Sequence, residues 1–412
     1  MAKNDNLTDF LADVANAIRE KKGTTDLINP QDFSAEIASI ETGGGGEGGG
    51  GGAAAGAVNF RDYDGTILHS FSKEEFLALN ELPELPSQPG LVCQGWNWNI
   101  EVAKSYVEGY GKIEIGATYI TNDGKTRFYI KVEGDRKTLP VNLSINKASS
   151  LIIDWGDGAT ESVSNSGTVT VSHTYDAVGD YVISFEVAEG AELSFGGSSS
   201  SAVTLSAPYR IMVKKIEVGM RTKILSYAFY SCYSLSSVVI PNSVTSIGSY
   251  AFSECGSLSS VVIPNSVTSI GSYAFNECGS LSSVVIPNSV TSINDYAFSE
   301  CGSLSSVVIP NSVTSIGGYA FNYCYSLSSV VIPNSVTSIG SYAFKYCSGV
   351  AYFDFRTHSA IPTLSNYNAF SNLANDCKIV VPDDLYDSWI AAANWSNSNV
   401  VKYIVKSSEF NG

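Results

Sequence analysis

Between Cys232 and Cys347 apolar residues return in one fixed order every 23 positions. The copy starting at Cys255 reads Cys255-x-x-Leu258-x-x-Val261-x-Ile263-Pro264-x-x-Val267-x-x-Ile270-x-x-x-Ala274-Phe275, and the others start at Cys232, Cys278, Cys301 and Cys324. One unit of this size cannot bury its own apolar face, so the period predicts coils stacked into a solenoid. Strand alternation within Val238-Val239-Ile240 sends Val238 and Ile240 to one side and Val239 to the other. The predicted interior set is Leu235, Val238, Ile240, Val244, Ile247, Ala251 and Phe252, with Cys232 at a corner. Pro241 ends the strand because it cannot donate to a ladder. Gly248 takes the tight corner that Asn294-Asp295 takes in the third copy.

Outside the repeats the pattern changes five times. Residues 1–42 read as a helical docking segment: Leu7, Leu11, Val14, Ala17 and Ile18 recur at helical spacing up to about Lys22, and Asn29-Pro30 opens a second helix with Phe33, Ile37 and Ile40 on one face. Two such helices bury too little to stand alone, so they are expected to dock on a partner or on copies of themselves. Residues 43–57 are a Gly-rich linker without the Lys-Ser/Thr of a phosphate loop. Residues 58–116 form a small module: a strand from Val58, an Asp64-Gly65 turn, a helix started by Ser72-Lys-Glu-Glu75, and a proline stretch leading to Trp96 and Trp98. Residues 117–197 carry short strands at Phe128–Val132, Val141–Ile145, Leu151–Ile153, Thr168–Val171 and Tyr181–Phe185, the spacing of a β-sandwich. Gly197–Ser201 reads as a flexible joint into residues 198–350, the solenoid with its lead-in coil. Residues 351–412 repeat the pattern in worn form and end in a cap, with Asp383-Asp384 starting a helix from Leu385 to about Asn394.

Charge narrows the partners. The 24 basic and 40 acidic residues leave a formal charge of -16, which argues against nucleic acid or anionic lipid. No apolar run approaches the roughly 20 residues a membrane helix needs, and the first residues show no apolar signal-peptide core, so assembly in a cytoplasm is expected unless a leader was removed. Six of the eight cysteines fall at 23-residue intervals. Without a Cys-x-x-Cys or a nearby His they predict a column of buried thiols, not a metal site. Asp154 and Asp157 are too close for a calcium loop and lack a cleft for glycoside hydrolysis, so they are expected to shape a turn. His69, His173 and His358 have no nucleophile motif beside them. No catalytic constellation and no cofactor is expected.

Between Cys232 and Cys347 only Glu254, Glu277, Asp295, Glu300 and Lys345 are charged. The copies differ almost only between Phe and the next Leu, where one corner carries Tyr230 and Tyr233, then Glu254, Glu277 and Glu300, then Tyr323, Tyr325 and Tyr346. Like charges one coil apart repel by about 1 kcal/mol in water before screening. These eight residues are the candidate ligand-binding edge, since Tyr offers rigid amphipathic contact area. The outward column Val239, Val262, Val285, Val308 and Val331 is the rival face, apolar and continuous.

The Cys-x-x-Leu-x-x-Val-x-Ile-Pro-x-x-Val-x-x-Ile-x-x-x-Ala-Phe pattern resembles the BspA-like, Treponema-type leucine-rich repeats. Asp154-Trp-Gly-Asp-Gly158, His173-Thr-Tyr175 and Gly179-Asp-Tyr-Val182 resemble the signature of polycystic-kidney-disease-type (PKD) domains. The strand with Asp64-Gly65, the prolines and Gly95-Trp96 are similar to the β-grasp modules of internalin B repeats. Together these imply a multidomain, mainly β chain that binds without catalysis. The layout resembles phage or prophage tail fibres and receptor-binding proteins. That likeness implies a virion component, held to a tail or baseplate protein through residues 1–42 and binding a bacterial surface glycan or protein, with a homotrimer as one arrangement it allows. The alternative is a BspA-like adhesin of the bacterial cell surface.

Overall fold

A computed structural model describes residues 58–410, apart from 63–65, 89–90 and scattered positions between 97 and 111. The helical docking segment, the Gly-rich linker and the Asp64-Gly65 turn lie outside the described residues. The chain divides into two compact units, Met1–Asp123 and Gly124–Gly412.

The described part of the first unit holds strands β1 (Val58–Arg61), β2 (Ile67–Phe71), β3 (Leu91–Trp96) and β4 (Ile113–Thr121), with helix α1 (Lys73–Leu77) between β2 and β3. The sheet order is β2-β1-β4-β3, with β1 and β4 parallel at its centre, a β-grasp arrangement. Ser72 starts α1 as expected: its hydroxyl accepts from the Glu75 N–H, and the Glu75 carboxylate accepts from the Ser72 N–H. The core gathers Val58, Phe60, Phe76, Trp96, Ile113 and Ile115. Trp96 is thus a packed residue, edge-on to Phe60 at 4.9 Å and donating through Nε1 to the Pro83 carbonyl. Strand β4 runs straight through residue 116, where the sequence suggested a module boundary.

The second unit begins as a sandwich. Its strands are β5 (Thr126–Val132), β6 (Thr138–Ile145), β7 (Leu151–Asp154), β8 (Thr160–Val163), β9 (Gly167–Thr174), β10 (Gly179–Val187) and β11 (Leu193–Phe195). One sheet runs β5-β10-β7-β8 and the other β11-β6-β9. Trp155 and Tyr175 fill the space between them, and the Tyr175 hydroxyl donates to the Trp155 carbonyl at 3.0 Å.

Both sheets continue into the solenoid. Strand β12 (Val213–Glu217) pairs with β5, and β13 (Thr222–Ile224) pairs with β11. Next, β14 (Ser237–Val239) pairs with β12 and β15 (Ser246–Ile247) with β13, in parallel. One hydrophobic core therefore runs from Phe128 to Ile404. The expected joint at Gly197–Ser201 is corrected by this: the Gly197 N–H donates to Ser226 O, Ser200–Ala202 form a 3-10 turn, and the Thr204 N–H donates to Ala228 O. Gly-Ser composition promised freedom, but the backbone there is tied into the first coil.

Each coil then has two short strands, and every residue of the predicted interior set is buried. Gly248 takes its corner because a Cβ there would come within 2.2 Å of Ser226 N. In the third copy Asn294 donates to Ile270 O, and Asp295 accepts from the Gly318 N–H. Each of Cys255, Cys278, Cys301, Cys324 and Cys347 donates from Sγ to the Phe carbonyl 26 residues earlier, at 3.1–3.3 Å. Burial pushes the Cys232 and Cys301 thiols up to about 12.

Toward the C-terminus, strands at Tyr352–Asp354, Lys378–Val381 and Ile404–Lys406 extend the stack in parallel. The cap differs from expectation: a 3-10 turn (Asp383–Leu385) leads into α2 (Tyr386–Ala391), and α3 (Ser398–Val401) follows. Asp383 does not cap α2. Its carboxylate accepts from Ser407 Oγ and the Ser408 N–H, which holds it at about 2 and ties down the last strand. Trp389 and Trp395 close the end, packed against Phe355.

Candidate functional site

The third side of each coil has no strand. Its backbone alternates between local turns and bonds to the next coil. The N–H groups of Tyr250, Phe252 and Glu254 donate to the carbonyls of Ser272, Ala274 and Asn276, at 3.0, 2.8 and 2.7 Å. To reach forward, Tyr250 and Glu254 adopt left-handed backbone, with φ of 59° and 62°. The same holds at Tyr227, Tyr273, Tyr296, Tyr319 and Tyr342, and at Ser231, Glu277, Glu300, Tyr323 and Tyr346. The variable window of the repeat thus sits on the most constrained backbone of the coil.

Two columns arise there. Tyr227, Tyr250, Tyr273, Tyr296, Tyr319 and Tyr342 stack nearly parallel, with ring centroids 4.3–4.7 Å apart. Burial and its neighbours Tyr296 and Tyr250 push the Tyr273 hydroxyl up to about 12. Sequence reasoning passed over this column, although an invariant Tyr directly before Ala-Phe in every copy was its signal. The second column is the candidate edge, and the structure divides its eight residues into three groups.

At the N-terminal end Tyr230, Tyr233 and Glu254 come together. The Glu254 carboxylate accepts from Tyr230 OH at 2.6 Å, Ser231 Oγ at 2.7 Å and Tyr233 OH at 3.1 Å. Burial pushes this carboxyl up, but the three hydroxyls and the Arg210 charge outweigh it and hold the group below its ordinary range. Arg210 itself lies over the Tyr230 ring at 5.2 Å. At the other end Tyr323 stacks on Tyr346 at 4.5 Å and meets Tyr325 at 5.6 Å. Lys345 sits 4.9 Å from the Tyr342 and Tyr346 rings alike. Between these ends Glu277 accepts from Asn276 Nδ2 at 3.1 Å, while burial and the Glu277 charge raise the Glu300 carboxyl.

The rival Val column is less open than its sequence suggests: Val262 is 39% exposed, and Val239, Val285, Val308 and Val331 are half-buried. In the sandwich Asp154 and Asp157 accept from the N–H groups of Gly156 and Ala159, so both serve their own turn. Asp157 also pairs with His173 Nε2 at 2.6 Å, and that imidazole stacks on Trp155. Among the described residues no three His, Cys, Asp or Glu side chains converge as a metal site would require. No described helix is long and apolar enough to cross a membrane.

Residues 222–351 match the BspA type leucine-rich repeat region in six copies. The solenoid is of the BspA type. The sixth copy is the lead-in coil, since the match starts at β13 and not at Cys232. No curated protein matches the chain. Among solved structures, a leucine-rich repeat protein from Bacteroides ovatus is 22% identical over 51% of this chain and 61% of its own, with a TM-score of 0.31. A leucine-rich repeat protein of T. pallidum is 26% identical, covering 42% of this chain and 81% of its own, with a TM-score of 0.26. A leucine-rich cell surface protein from Faecalibacterium prausnitzii is 27% identical, covering 41% and 59%, with a TM-score of 0.25. This chain therefore spans about three fifths of the Bacteroides and Faecalibacterium proteins.

Proposed function

We propose that this is a non-enzymatic binding protein of a bacterial cell surface, which presents the variable edge of its solenoid to a surface protein or glycan. One observation carries the reading: apolar side chains that pack are the same from coil to coil, while variation gathers at one corner. A scaffold kept constant with a contact edge allowed to change is the arrangement of a repeat binder. The BspA-type match supports binding in general, and it supports the cell-surface reading over the virion reading. The latter leaned on residues 1–42, which lie outside the described part of the chain.

The sandwich fits a PKD-like module, supported by the Trp155, Asp157, His173 and Tyr175 cluster, and the first unit fits an internalin-B-repeat-like module by its strand order. Both would act as spacers or secondary contacts. The test is location and adhesion together. Intact producing cells are treated with protease, released peptides are identified by mass spectrometry, and purified virions are analysed in parallel. Solenoid peptides shaved from cells, with binding of the full chain to target surfaces, are the expected result. Recovery from virions alone would overturn the reading.

A further inference from the structure

The tyrosine column beside the variable edge carries a chemistry that binding does not use. Tyr227, Tyr250, Tyr273, Tyr296, Tyr319 and Tyr342 make five successive ring contacts, with centroids 4.3–4.7 Å apart and planes 5–20° from parallel. The Phe column of the same coils, from Phe229 to Phe344, stands at 5.4–5.6 Å, so the Tyr rings lie closer together than the Phe rings. The Phe rings are buried, whereas every Tyr of the column is half-buried. Neighbours cover both faces of each inner ring, so what solvent meets is its edge.

The main chain fixes this registry. The N–H groups of Tyr250, Tyr273, Tyr296 and Tyr319 donate to the carbonyls of Ser272, Asp295, Gly318 and Ser341 in the next coil, at 2.9–3.1 Å. Each ring is thus held against the next by bonds in which its own hydroxyl plays no part, and Phe would stack there as well. What tyrosine adds is a row of phenols, side chains that give up one electron and one proton together.

We infer that the column is a site of oxidative modification, at which a one-electron oxidant, the ferryl haem of a peroxidase, joins tyrosines of adjacent coils as dityrosine. Each of two neighbouring phenols gives one electron to the oxidant and one proton to solvent. The two phenoxyl radicals couple through ring carbons ortho to oxygen; those carbons then lose their hydrogens as protons, and both oxygens are reprotonated. Two electrons and two protons leave for each bond formed, and one hydrogen peroxide takes them up as two waters. A radical on one ring is filled from the ring stacked on it, so two radicals formed apart on the column still meet. The strands already hold the coils about 4.8 Å apart, so the bond calls on side-chain rotation and not on strand movement. It is a staple: joining residues 23 positions apart removes freedom from the unfolded chain. None of this depends on what the variable edge binds.

The repeat supplies a clean test. Cleavage after Glu254, Glu277 and Glu300 leaves Tyr273 as the one tyrosine of residues 255–277 and Tyr296 as the one tyrosine of residues 278–300. Their rings make the shortest contact of the column, 4.3 Å. The full chain is treated with a haem peroxidase and hydrogen peroxide, and the monomer is isolated on a denaturing gel. Its cysteines are reduced and alkylated, and it is cut with a Glu-specific protease for mass spectrometry. The expected product is the two peptides joined, two hydrogens lighter than their sum. Tyr273→Phe, folded by circular dichroism, gives none of it. The stapled monomer is expected to unfold at a higher denaturant concentration than the untreated chain. Absence of the joined peptide from the monomer overturns the inference, whether the oxidant instead makes dimers through half-exposed Tyr233 and Tyr325 or leaves the chain unchanged. An unfolding midpoint at or below that of the untreated chain overturns the stapling.

Discussion

Glu254 and Glu300 occupy one position of the repeat, two coils apart, with the same φ of 62°. Their effects on stability are nevertheless expected to have opposite sign. Replacing Glu254 by Gln removes the charge that orders Tyr230, Ser231 and Tyr233, at 2.6, 2.7 and 3.1 Å. Hydrogen bonds to an ionised group contribute about 1.5–3 kcal/mol each where buried. This carboxylate is partly exposed and Tyr233 half exposed, and Gln retains one acceptor, so the expected net loss is about 1–2 kcal/mol. In a unit of this size that lowers the melting temperature by roughly 2–6 °C. The sign with pH follows from the direction of each shift. Glu254 has a depressed folded pKa, so its contribution is present above the ordinary carboxylate value and is lost as pH falls through the folded value. Glu300 is raised by burial and then by Glu277. Its ionisation costs stability, and that cost is absent in acid and sets in as pH rises from the ordinary to the raised value. Glu300→Gln should be neutral in acid and stabilising by up to about 0.5 kcal/mol at pH 7. Calorimetric melting of wild type and both variants at neutral and acid pH checks this. If both variants shift the melting temperature in the same direction at pH 7, the assignment of Glu254 as internally satisfied and Glu300 as unsatisfied is wrong.

Three further outcomes are expected. Gly196→Ala places a Cβ 2.3 Å from Ser226 O at a φ of +83° and should cost at least about 2 kcal/mol, whereas Gly279→Ala, with nothing within 4 Å, should be neutral by chemical denaturation. Native protein treated with a water-soluble thiol reagent should react at half-buried Cys93 alone, and the solenoid thiols should react only on unfolding, because the reagent needs an exposed thiolate. Removing residues 124–197 strips β5 and β11 from the first coil and uncovers Phe229, which packs on Phe128 at 5.8 Å. Gel filtration should then show association that the chain with its sandwich does not.

The interior of the solenoid was legible because a strict period projects each apolar position onto the same place in every coil. The Leu235-to-Phe252 set needed nothing else. What escaped lacked that property. The pairing of β5 with β12 joins segments about 90 residues apart with no shared pattern, and the Gly-Ser run at Gly197 suggested separation where the backbone is bound. The edge was legible as a place but not as a mechanism. All eight named residues lie on one corner, yet the sequence could not show that Glu254 is already satisfied by Tyr230, Ser231 and Tyr233.

The backbone of that corner bears on the proposed contact edge. Twelve non-glycine residues, two per coil in six coils, hold a positive φ. Each costs roughly 1–2 kcal/mol relative to right-handed backbone, and Gly or Asn would reduce that cost. The forward N–H bonds to the next coil explain why the conformation persists. They do not explain why Tyr occupies one column and Ser, Glu and Tyr the other, since any residue provides the same N–H. For the Tyr column, stacking at 4.3–4.7 Å gives an internal reason. At Glu277 the side chain accepts from the Asn276 amide at 3.1 Å, whereas burial and then the Glu277 charge raise the Glu300 carboxyl, and no cation answers either among the described residues. A position that is locally unfavourable by backbone and by charge, inside a repeat otherwise consistent at every level, is what the proposed contact edge would account for, because the fold itself gains little from it.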